Sequence, residues 1–81
     1  MITMNYTKKR FGAELILKLE EGYDIEKIAQ WADNVHYKHL GEMNDELNDI
    51  VQNIASMSFG SQFIYSEQEL RDLAVQLIQS N

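Results

Sequence analysis

Apolar residues recur along this chain at spacings of three and four, the period of an amphipathic helix, in four separate stretches. The first spans roughly residues 11–21, with Phe11, Leu15, Ile16 and Leu19 on one stripe and Gly22 placed just past the end, where a glycine commonly closes a helix. The second opens at Asp24, a capping residue, and carries Ile25, Ile28, Ala29, Ala32 and Val35 toward an end near residues 37–40, before Gly41. In the third, Met43, Leu47, Ile50, Val51 and Ile54 share a face, and the run stops near Met57, ahead of Gly60. The fourth begins with Ser66-Glu67-Gln68-Glu69, a capping-box pattern, and lines up Leu70, Leu73, Ala74, Leu77 and Ile78. Tyr23 with Ile28, and Tyr65 with Leu70, stand where hydrophobic staples would fix the entries to helices two and four.

Strand signals are poor. Phe63-Ile64-Tyr65 is the one short β-like stretch, and no Asn-Gly or Asp-Gly turn follows any alternating run. Four helices joined by short connections predict an all-α fold, a compact antiparallel bundle of four helices. Eighty-one residues leave room for one core, so a single domain over residues 1–81 is expected, with residues 1–10 loosely ordered ahead of the first helix. Trp31, beside Ala29, Ala32 and Val35, is expected in that core rather than as an exposed anchor for a partner, and Phe59 and Phe63 are expected to plug its open end, with room for one of them to stay exposed as a contact.

Composition narrows the chemistry. The chain has no cysteine, which excludes disulfides, thiolate metal sites and cysteine catalysis. No Gly-rich phosphate loop is present, and no cofactor site is legible. Serines, histidines and acids are too scattered to define a catalytic set, so the chain is expected to bind rather than catalyse. His36, His39 and Glu42 have a spacing that could place metal ligands on one helical face, but Gly41 falls between the last two. The preferred reading is therefore no metal, and two exposed histidines near a helix C-terminus, where partial positive charge suits the helix dipole. No apolar run approaches the length needed to cross a membrane, and the N-terminus lacks a secretory pattern, so a cytoplasmic location is expected.

The formal charge is −6, and its placement matters more than its size. Residues 1–41 hold six acids (Glu14, Glu20, Glu21, Asp24, Glu26, Asp33) and six bases (Lys8, Lys9, Arg10, Lys18, Lys27, Lys38), so they sum to zero. Residues 42–81 hold seven acids (Glu42, Asp45, Glu46, Asp49, Glu67, Glu69, Asp72) against Arg71 alone. That half would repel a phosphate backbone and attract a basic protein surface. Glu42, Asp45, Glu46 and Asp49, at steps of three, one and three, are expected on one side of the third helix, away from its apolar stripe. No lysine or arginine lies between Lys38 and Arg71 in the chain to relieve their repulsion. Acids in a first turn also favour the helix through its dipole, so the cluster reads either as a partner-binding patch or as a solvated face.

Leu15, Leu19, Gly22, Asp24, Ile28, Trp31 and Ala32, followed by an acidic amphipathic helix and a final Ser66-x-x-Glu69-Leu70 helix, make an order of features that resembles small all-helical bacterial immunity proteins. These include colicin-type and contact-dependent growth inhibition immunity proteins, and the likeness spans roughly residues 11–79. The resemblance implies a cytoplasmic inhibitor, a monomer or weak homodimer, that binds a cognate toxin domain. Such domains are often basic nucleases, blocked at the active or substrate-binding surface. On this reading Glu42, Asp45, Glu46 and Asp49 supply the electrostatics, while Tyr37, Phe59 and Phe63 add apolar anchoring, with no direct contact to nucleic acid or membrane. Two other readings remain open. One is a small regulatory or adaptor domain acting through protein–protein contacts. The other is a helix-turn-helix module, which would require basic residues that the third helix lacks.

Overall fold

The computed structural model describes residues 6–59 and 64–79. They form α1 (Lys8–Glu20), α2 (Ile25–Lys38), α3 (Asp45–Ala55), a 3₁₀ turn (Ser56–Phe59) and α4 (Glu67–Gln79), with no strand among the described residues. The fold is an all-α four-helix bundle. Ile64 and Tyr65 are irregular backbone, and Phe63 lies outside the described residues.

Local chemistry sets each helix start. Thr7 Oγ accepts the Arg10 amide at 3.1 Å, which starts α1 at Lys8, three residues ahead of the apolar stripe. Asp24 accepts the Glu26 and Lys27 amides at 3.0 and 3.2 Å, and Asn44 accepts the Leu47 amide at 2.8 Å. At α4 the capping box forms as its residues predict. Ser66 Oγ accepts the Glu69 amide at 3.1 Å, and the Glu69 carboxylate accepts the Ser66 amide at 2.9 Å. The turns after α1 and α2 each contain a glycine with positive φ, 127° at Gly22 and 83° at Gly41. An added Cβ at either would meet nothing within 4 Å, so backbone conformation, not space, demands glycine there.

The helices pair as α1 with α4 and α2 with α3. Their directions follow from what touches. The Tyr23 hydroxyl, after the end of α1, donates to the Tyr65 carbonyl before the start of α4. His36, late in α2, lies 3.0 Å through Nδ1 from Asn48 Oδ1, early in α3. Both pairs are thus antiparallel, as expected for short connections. One continuous core joins them, with Phe11, Leu15, Ile28, Ala32, Leu47, Val51, Ile54 and Leu70 buried. Trp31 packs against that core partly buried, its ring stacked on Phe11 with centroids 5.0 Å apart.

Two places near the ends of the core differ in detail from the main expectation. Residues near the N-terminus are not loose from Tyr6 onward. Tyr6 is 1% exposed, seated on α2's C-terminal end by a stack on His39 with ring centroids 4.0 Å apart. Of the two loop phenylalanines, Phe59 does not plug the bundle but takes the exposed place left open for one of them. It is 82% exposed, because the 3₁₀ turn directs Met57 inward and leaves Phe59 outside.

Gly12 lies where α1 packs tightly against α4. A Cβ there would sit 2.7 Å from the Ala74 carbonyl oxygen and 3.1 Å from Leu77 Cβ. In an open helix Gly→Ala would stabilise by about 1 kcal/mol. Here the obstacle is helix backbone, and overpacking of this kind costs about 1–3 kcal/mol. Gly12→Ala is therefore expected to destabilise by about 1–2 kcal/mol overall, read as a lower urea midpoint. An unchanged or higher midpoint would show that the two helices can separate freely.

Candidate partner-binding surface

Of the four acids expected on one side of α3, the structure keeps two as an exposed, unpaired row. Asp45 and Asp49 stand four residues apart on the outer face of α3, and the same step pattern continues to Gln52. Neither aspartate makes an ion pair among the described residues.

Glu42 is not on that face. Asn44 caps α3, so Glu42 falls in the preceding turn, where its amide donates to the His39 carbonyl at 2.9 Å. Its carboxylate oxygen lies 3.3 Å from His39 Nδ1. Glu46 is on α3 but is engaged from outside the local sequence, by Lys8 Nζ of α1 at 2.9 Å. Counting cations along the chain missed this contact because it spans the fold. The histidines also differ from expectation. His39 is buried between Tyr6 and Glu42, and His36 is half-buried at the seam between α2 and α3, so neither is an exposed group at a helix end. Among the described residues, no group of three or more metal-ligating side chains is placed to hold an ion.

The aromatics proposed as anchors behave differently from one another. Tyr37 is 69% exposed and Phe59 82% exposed, and both line a groove of about 260 Å³ between α2 and the end of α3. Gln52 lines the same groove, so the aspartate row and the aromatic pair form one continuous surface. Phe63 lies outside the described residues. Leu40, also largely exposed, sits in the turn after α2.

Tyr6 is the residue that periodicity overlooked. Its hydroxyl donates to Glu14 Oε1 at 2.7 Å, and Glu14 also accepts from Arg10 Nε at 3.1 Å. The Arg10 guanidinium sits 4.9 Å above the tyrosine ring. Burial first, then the hydrogen bond and negative charge of Glu14, push the phenol far above its ordinary value, with Arg10 opposing. Folding thus holds this proton more tightly than the unfolded chain does. The resulting stability is complete below the unfolded value of 10.0 and declines as pH rises above it. The wild type is expected to lose up to about 1.4 kcal/mol per pH unit above that point through this group, and Tyr6→Phe to lack that increment. Urea midpoints of the two proteins across the alkaline range check this, and parallel curves would contradict it.

No helix among the described residues is long and apolar enough to cross a membrane. Compared with known proteins, the chain matches no family model, no curated protein and no solved structure.

Proposed function

We propose that this chain is a stoichiometric inhibitor conferring immunity to a cognate bacterial toxin domain, of the basic nuclease kind, by masking its active or substrate-binding surface. The observation that carries the reading is the aspartate row on α3, exposed and without a cationic partner among the described residues, continuous with two solvent-facing aromatic rings. Like charges one turn apart repel by a few tenths of a kcal/mol, and a lysine or arginine brought by a partner turns that repulsion into attraction. The carboxylates would take the places of nucleic-acid phosphates on the toxin, while Tyr37 and Phe59 supply the desolvated contacts where binding energy concentrates. Glu46, already paired with Lys8, contributes less than Asp45 or Asp49. Glu42, turned toward His39, contributes least. The protein acts on this reading by binding alone, in the cytoplasm, with no cofactor.

The test is co-expression. A neighbouring reading frame for a large exported protein with a cationic C-terminal domain is expected, and that domain alone should arrest growth. Growth should return with this chain present. A domain that stays toxic in the presence of the folded chain contradicts the inhibitor reading. The exposed Phe59 also favours an adaptor that uses the same surface against another protein. In that case capture from the native strain would return a partner with no toxicity.

A further inference from the structure

The groove that holds Tyr37 and Phe59 continues past Phe59 into a second compartment of about 350 Å³, the two sharing Asp33, Ala55 and Phe59. Together they follow one face of α2, from Glu26 through Ala29 and Asp33 to Tyr37, steps of three and four that keep side chains in line. The floor is apolar and small, with Ala29 and Ala55 buried. The charges along it are Glu26 and Asp33, neither in an ion pair, and the described residues lining it include no lysine or arginine. Phe59 projects over the shared part of the groove with most of its ring in water, a large apolar group held where packing does not use it.

We propose that this groove is the docking site for a basic amphipathic segment of the partner protein, which seats an apolar side chain between Tyr37 and Phe59 and lays lysine or arginine along Asp33 and Glu26. Helix-in-groove recognition uses anchors at these spacings, and aromatic residues at a groove centre commonly dominate its energy. Charge selects the occupant. A second copy of this chain would bring a net charge of −6 against an acid-lined groove, whereas a cationic segment meets opposite charge along its whole length. The proposal rests on the inhibitor reading for the partner's class, and adds a second contact region on α2, beyond the aspartates of α3.

The test uses the full chain and a short fluorescent peptide with lysine and leucine at helical spacing, with its glutamate-for-lysine counterpart as control. Fluorescence anisotropy should show binding of the lysine peptide only. Phe59→Ser and Asp33→Lys should each weaken it about tenfold or more, with unchanged circular dichroism. Equal binding of the acidic peptide, binding indifferent to both substitutions, or a sedimentation dimer that Phe59→Ser dissociates would overturn the proposal. If the peptide fails while the whole toxin domain is still bound through Asp45 and Asp49, the groove assignment falls and the inhibitor reading stands. If the peptide binds as described while co-expression gives no rescue, the reverse holds.

Discussion

Phe11→Ala should remove between half and all of this molecule's folding stability. Phe11 is fully buried and stacked on Trp31, so it ties α1 to α2 at the centre of the bundle. Truncating a buried phenylalanine costs about 3–5 kcal/mol, and the lost ring pair adds about 0.5–1.5 kcal/mol. A domain of this length has on the order of 4–12 kcal/mol in total. The loss therefore consumes the margin at the lower end and about half of it at the upper end. Trp31 fluorescence against urea gives the readout, since the indole lies on the deleted ring. Phe11→Leu keeps most of the volume and should cost clearly less. Equal losses for both variants would mean that the ring pair and cavity do not govern the site.

The second large effect is on binding, not folding. Asp45→Lys combined with Asp49→Lys should weaken the complex with the toxin domain by more than about a hundredfold, because close charge pairs across such interfaces couple by about 1.5–7 kcal/mol. The folded state should lose much less, at most about 2 kcal/mol. Asp45 gives up a favourable dipole interaction of about 0.3–1 kcal/mol in the first turn of α3 and a lysine there adds an unfavourable one of similar size, while the reversed pair repels about as much as the original one did. The wild-type association rate should also fall as salt is raised, since exposed carboxylates steer encounter over distances that ions screen. A double variant that binds as tightly as wild type, with the same salt dependence, would remove the aspartates from the mechanism.

What the sequence revealed and what it hid divide along a physical line. Helix existence, the Asp24 cap, the Ser66–Glu69 box and the glycine after α1 depend on neighbours within a turn, and all were legible. A local competition sets the start of α3. Met43 is buried and continues the apolar period, but Asn44 caps the helix, so periodicity alone carried Glu42 into a helix it precedes. The remaining errors are non-local. Lys8 reaches Glu46 across 38 positions of sequence, and Tyr6 finds His39 across the bundle. Neither pairing leaves a periodic trace. Tyr6 had one available signal, an aromatic residue directly before a Thr cap, where a residue often folds back onto its helix. Of the proposed site, the exposure of Tyr37 was readable from its place opposite the α2 stripe. The exposure of Phe59 depended on a 3₁₀ turn that buries Met57 instead.

The most direct test of the acidic surface is a backbone amide shift map of the isotopically labelled chain, free and saturated with the toxin domain. The largest changes should run along Asp45, Asp49 and Gln52 and into Tyr37 and Phe59, leaving the outer side of α1 and α4 near its free positions. Changes centred on Leu17 and Val75, with the α3 aspartates unmoved, would contradict this placement of the interface.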